Sequence, residues 1–228
     1  MILPKMTYEE MRREIERDSE NFHRWLPHQR RRILEVARRC KSFPSHMMMR
    51  YPSPRKNNWL IHVLLTSTNM SGAFITYCIV RRDEDGVFVH LVMENAPGMV
   101  CQDILTPHYL KRYAERTGRV GLSAEQLAEA WMTNNYDTIC DNTQSLSGVR
   151  SRTGTQWHSC TNEGIMMGDF IKEANTFIAR TFITYDMAKE RQVEVFGYCK
   201  GKLFDSYNLK RDIQNYLKRK DNYNIQRL

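Results

Sequence analysis

A chain of 228 residues, 41% hydrophobic and 26% charged, is long enough to bury a sizeable core as one large domain or one domain with an appendage, and its composition is that of a soluble globular protein. No stretch approaches the roughly 18–20 consecutive apolar residues that a membrane-spanning helix needs. The N-terminal run MILPKMTYEEMRRE lacks the basic and then apolar regions of a secretory signal, so a cytoplasmic chain with no membrane partner is expected. The net charge of +8 is uneven: residues 1–56 carry 14 Lys and Arg against 7 Asp and Glu, residues 198–228 carry 8 against 3, and the centre carries 12 against 16. Basic ends around a mildly acidic middle suit RNA or another polyanion as partner. The plainer alternative is that these are solvated helix faces.

The six cysteines, at 40, 78, 101, 140, 160 and 199, include no C-x-x-C pair. Zinc sites use closely spaced ligand pairs and disulfide scaffolds are shorter and denser in cysteine, so scattered reduced thiols are expected, with no metal and no cofactor.

In chain order, Thr7-Tyr8-Glu9-Glu10 has capping-box spacing, and Met11, Ile15 and Phe22 follow at helical intervals, predicting a helix from Tyr8 to about Arg24. Pro27 opens a second helix to Arg39 with Ile33, Leu34 and Ala37 on its apolar face, while the consecutive Arg30, Arg31 and Arg32 fan around it. The pair reads as a helical hairpin over 1–40 with a basic exterior, serving as a packing arm or a nucleic-acid clamp. Residues 41–57 contain Pro44, Pro52 and Pro54 and read as an extended connector, with Met47, Met48 and Met49 as adaptable packing residues or a protein-partner surface. Residues 58–228 then form an α+β domain.

Three β-prone runs follow, Trp59–Leu65, Phe74–Val80 and Val87–Val92, and Asp85-Gly86 between the last two is a hairpin signal, so an antiparallel meander is expected to end at Gly98. Thr106, Pro107 and Gly118 then have the residue types of an N-cap, a first helical position and a C′ position. Inside those caps His108, Arg112 and Arg116 recur every fourth residue and form one stripe, with Leu110, Tyr113, Ala114 and Thr117 on the other side. A second capping box, Ser123 to Gln126, starts a helix with Leu127, Ala128, Ala130 and Trp131 on one face, ended by Asn134 and Asn135. The polar stretch 136–151 is a candidate loop over an active face. Gln156–Cys160, a turn at Thr161–Gly164, Ile165–Gly168 and Thr176–Tyr185 return to strands, and Leu209–Lys220 has the pattern of a terminal basic helix. The expected fold is therefore α+β: an antiparallel sheet of five or six strands, helices packed on one side, and the N-terminal hairpin.

The chain has no P-loop, no G-x-G-x-x-G, no H-E-x-x-H and no G-x-S-x-G. What remains is phosphoryl chemistry without a metal. Cleaving RNA through its own 2′-hydroxyl needs a proton acceptor, a proton donor and cations beside the phosphorus. His108 suits the proton transfers, Arg112 and Arg116 the phosphate, Thr184 or Tyr185 an oxyanion contact, and His158 a second proton transfer.

A helix carrying H-x-x-x-R-x-x-x-R, here His108 to Arg116, then Thr155–Gly168 and a last strand Arg180-Thr181-Phe182-Ile183-Thr184, resembles the metal-independent ribonuclease toxins of the barnase, EndoU, colicin and RelE-like group, over residues 105–186. The resemblance implies RNA as substrate, His108 as a proton-transfer residue, Arg112 and Arg116 as phosphate contacts and Thr184 as an active last-strand residue. Tyr185, Arg180 and His158 are the further candidates for substrate contacts. Such toxins are commonly much smaller, and the upstream helices and meander have no counterpart in them. An RNA-binding protein with metal-independent ribonuclease activity is thus one expectation. The others are a non-enzymatic interaction or nucleic-acid-binding module using the basic terminal helices, and a metal-dependent hydrolase built from His62, His90, His108 and His158.

Overall fold

A computed structural model describes residues 1–68, 73–96, 99–135, 139–141 and 155–188. The predicted terminal helix at 209–220, most of the polar stretch 136–151 and Gly98 lie outside them.

Helix α1 runs Tyr8–Trp25 and starts on the capping box that the sequence predicts: the Thr7 side chain accepts from Glu10 N, and the Glu10 carboxylate accepts from Thr7 N at 2.7 Å. Met11, Ile15 and Phe22 form its buried stripe. A 3-10 turn at Leu26–Gln29 reverses the chain into α2, Arg30–Arg39, which buries Ile33 and Ala37. The hairpin forms as expected.

Nine strands form one sheet among the described residues. They are β1 Ser45–Pro52, β2 Asn58–Leu65, β3 Phe74–Asp83, β4 Gly86–Ala96, β5 Met99–Leu105, β6 Ile139–Asp141, β7 Thr155–Cys160, β8 Ile165–Ile171 and β9 Thr176–Ile183. Helices α3, Pro107–Arg116, and α4, Ala124–Asn134, lie between β5 and β6. The order is β1-β2-β3-β4-β5-β9-β8-β7-β6. All neighbours are antiparallel except β5 and β9, which run parallel with Ile104 opposite Ile178.

This corrects the expected architecture in three ways. The sheet has more than five or six strands, because β1 forms inside the stretch expected as a connector, β5 directly after the expected end of the meander, and β6 within the stretch expected as a loop. It is mixed, because β5 and β9 run side by side in the same direction and so need a crossover, supplied by α3, α4 and β6–β8. Helices cover both faces, not one. Strand β2 explains why: it is buried along nearly its whole length, so successive side chains must enter different cores. Trp59, Ile61, Val63 and Leu65 pack with Met11, Ile15, Phe22, Ile33 and Ala37 beneath α1 and α2. Leu60 packs on the other face with Tyr109, Tyr113, Leu127 and Trp131 of α3 and α4.

At the β8–β9 register shift the strands approach so closely that a Cβ on Gly168 would lie 1.8 Å from the Ile178 carbonyl oxygen, so only glycine fits. The shift makes Arg180 the extra residue between Ala179, opposite Gly168, and Thr181, opposite Met167, and turns both Arg180 and Thr181 off the face that carries Ala179.

Candidate functional site

The α3 caps match the sequence reading. The Thr106 hydroxyl accepts from Tyr109 N at 3.2 Å and donates to the Ala179 carbonyl at 2.9 Å, fastening the start of the helix to β9. Gly118, at φ +70°, takes the left-handed position beyond the last turn. Tyr109, Leu110, Tyr113 and Ala114 are buried, with the two tyrosine rings edge-on to Phe182 at 5.9 and 5.2 Å. His108 and Arg112 therefore face away from the sheet, as their spacing predicts, while Arg116 lies at the border of the buried face. His108 is exposed, and Arg112 is ion-paired with Glu115 one turn on at 2.9 Å. Arg116 is half-buried, and its Nη1 has no hydrogen-bond partner among the described residues.

The other predicted site residues lie elsewhere. Thr184 precedes a 3-10 turn, Tyr185–Met187, and its carbonyl accepts from Met187 N at 3.1 Å. The Tyr185 hydroxyl donates to the Thr161 carbonyl at 2.6 Å, bracing the β7–β8 turn. His158 pairs across Met167 with Thr181, whereas Ser159, Met166 and Phe182 share the opposite face, against which α3 packs. The sheet thus stands between His158 and the His108 row. The structure does bring two predicted residues together: His158 and Arg180 line a cavity of about 220 Å³ with Asp169, Thr181 and Trp157. Arg180 is ion-paired with Asp169 there.

Sequence reasoning missed the polar network that fastens α3, α4 and the β7–β8 turn. Glu163 accepts from the Tyr113 hydroxyl at 2.5 Å, from Asn135 Nδ2 at 2.9 Å and from Arg119 Nη2 at 2.7 Å. Burial first, and then the Glu163 carboxylate, push the Tyr113 hydroxyl well above its ordinary range, so it remains a donor. Removing it in Tyr113→Phe is expected to cost about 2 kcal/mol, the scale of a hydrogen bond to a charged group. Urea unfolding checks this, and a change below about 0.5 kcal/mol would mean that Asn135 and Arg119 suffice.

The histidines offered as metal ligands are dispersed. His62 Nε2 lies 2.9 Å from His46 Nδ1, and burial followed by the His46 charge lowers it to about 4. His90 is buried on the α1 side, with Nδ1 3.3 Å from Gln102 Oε1, and burial lowers it to about 4. Among the described residues no group of three or more His, Cys, Asp or Glu is placed to hold a metal ion. Cys40, Cys78, Cys101 and Cys160 are reduced thiols outside any disulfide. No described helix is long and apolar enough to cross a membrane.

Among the described residues, α2 carries a dense cluster of arginines. Arg30, Arg31, Arg32, Arg38 and Arg39 are all exposed, and only Arg31 has an acidic partner among the described residues, Glu35 at 3.0 Å. Arg30, Arg31 and Arg38 border a shallow groove of about 540 Å³ with Pro27, His28 and Leu34. Burying Ile33 and Ala37 against the sheet directs the arginines to solvent.

The chain matches no family model, no curated protein and no solved structure. Function therefore rests on the geometry alone.

Proposed function

We propose that the protein binds RNA, gripping the phosphate backbone with the exposed face of α2. The observation that supports this is the set of four exposed arginines there, Arg30, Arg32, Arg38 and Arg39, with no carboxylate neutralising them among the described residues. Arg30 and Arg38 are two turns apart, roughly 12 Å along the axis, so a single strand lying on the helix can meet more than one guanidinium. Arginine–phosphate contacts release condensed counterions, so binding is salt-dependent and largely sequence-independent.

Fluorescence anisotropy with a labelled single-stranded RNA tests the reading. Four contacts give a log–log salt slope of about −3, so affinity falls about 50-fold between 50 and 200 mM salt. The exposed double variant Arg30→Glu/Arg38→Glu is expected to lose at least about tenfold in affinity with its unfolding curve unchanged. Equal affinity in that variant would remove α2 from the interface.

A second reading, metal-independent RNA cleavage, draws support from His158, Arg180 and Thr181 sharing one cavity. An imidazole for proton transfer and a carboxylate-oriented guanidinium for the phosphate are two of the parts such chemistry uses. RNA that is cut in the presence of EDTA by the parent, and left whole by a folded His158→Ala, would support it. The His108 row has less support, since the sheet separates it from His158, the second proton-transfer candidate.

A further inference from the structure

We propose a second anion site, independent of α2 and on the opposite side of the sheet: the groove between α4 and the ends of β1–β3 binds a small molecule bearing two phosphates on an apolar body, a nucleoside bisphosphate in chemical class. The groove has a volume of about 520 Å³, within the range of small-ligand sites. Its floor is apolar, with Leu60 from β2 and Val80 from β3, and its polar rim includes Arg50, Arg82, Asn58 and Glu125.

Register places the two arginines on the same face. Arg50 sits opposite Leu60, and Val80 opposite Asn58, so Arg50, Leu60, Asn58, Val80 and Arg82 all project toward α4. There Arg50 Nη2 meets Glu129 Oε1 at 2.8 Å and Arg82 Nη2 meets Glu125 Oε1 at 2.9 Å. Glu125 and Glu129 are one helical turn apart, which anchors the guanidiniums roughly 6 Å from each other along the helix. Each ion pair engages one guanidinium nitrogen. The carboxylates thus orient the forks and leave further N–H donors for a ligand. The spacing is on the scale that separates phosphates on the 3′ and 5′ oxygens of one ribose, and the Leu60–Val80 floor suits the base.

These ion pairs are not needed to dock α4. Leu127, Ala128, Trp131 and Met132 already bury its inner face, and both arginines are about two-thirds exposed, where ion pairs hold a helix only weakly.

Isothermal titration calorimetry with adenosine 3′,5′-bisphosphate tests the site, with AMP, adenosine and inorganic phosphate as comparison arms. The bisphosphate is expected to bind at least about tenfold more tightly than AMP, and adenosine and inorganic phosphate more weakly still. Arg50→Gln/Arg82→Gln is expected to lose at least about tenfold. Asn58→Trp, which fills the groove from an exposed position and leaves both ion pairs in place, should abolish binding and guards against misfolding of the double variant. Absence of heat at millimolar bisphosphate, inorganic phosphate binding as tightly as the bisphosphate, or binding that survives Asn58→Trp would each overturn the proposal. Arg30→Glu/Arg38→Glu should leave this binding intact, so failure of the α2 reading and failure of this one are separate results.

Discussion

Asp18→Ala is expected to lower the free energy of unfolding by about 3–5 kcal/mol, the cost of removing one partner from a fully buried charged network. Asp18 lies on the inner face of α1 with no solvent exposure. Its Oδ2 accepts from Ser53 Oγ at 2.6 Å, Asn57 Nδ2 at 2.7 Å and Trp59 Nε1 at 2.8 Å, and its Oδ1 from Asn21 Nδ2 at 3.2 Å. Three of those donors belong to the β1–β2 turn or the start of β2, so a single carboxylate latches α1 onto the sheet. Asn57 extends the latch by accepting from Ile2 N at 2.9 Å. Alanine leaves the Ser53, Asn57 and Trp59 donors in a dry site with no acceptor. Asn21→Ala removes only the longest contact and should cost under about 1 kcal/mol. Urea unfolding of both variants measures the contrast, and an Asp18→Ala midpoint close to the parent's would show that water or a rearranged turn replaces the carboxylate.

The latch also shows what a sequence conceals. The local signals were readable: the Thr7 and Ser123 capping boxes, the Thr106-Pro107 start of α3 and its Gly118 stop, and the apolar faces of α1 and α4 all depend on residues within a few positions of one another. The second face of the sheet had a signal of its own. Trp59–Leu65 is almost continuously apolar, and a strand that must avoid water on both sides requires cover on both sides. Strand β5 was hidden because Gln102 and Asp103 interrupt its apolar alternation. Gln102 is buried all the same, donating through Nε2 to the Tyr8 carbonyl at 3.1 Å and to Thr176 Oγ1 at 2.9 Å. Neither partner is near it in sequence, so nothing local marks a buried glutamine as satisfied. The same limit applies to function. Spacing placed His108, Arg112 and Arg116 on one helix face, but only strand register reveals that His158 belongs to the other side of the sheet. Glu163 stands 50 residues beyond the tyrosine it binds. The α2 arginines were legible because composition and helical period suffice to expose them.

Asp103→Asn is expected to stabilise the protein above neutral pH by up to about 4 kcal/mol and to have little effect near pH 4. Asp103 sits on central strand β5, 4% exposed, on the face that carries Leu105, and burial pushes its carboxyl up to about 7. No hydrogen bond or ion pair reaches it among the described residues, so nothing offsets the loss of water around the charge. In the unfolded chain the same group ionises near about 3.9. Between about pH 4 and 7 the unfolded state therefore sheds a proton that the folded state keeps, and stability falls as pH rises, by about 1.4 kcal/mol per unit, until the folded carboxyl also ionises. The buried His62 and His90 run the other way in this window: both are lowered to about 4, so their contribution is lost as pH falls. The total stability curve mixes these opposing slopes, and the informative quantity is the difference between parent and variant. Asparagine resembles the protonated acid in shape and cannot ionise, so that difference should be near zero at pH 4, grow through pH 6 and level off above pH 7. Urea unfolding at pH 4.5, 6.0 and 8.0 reads it directly. A difference that stays flat across the three would mean that Asp103 ionises in the fold as easily as in the unfolded chain, with water or a cation reaching the centre of the sheet.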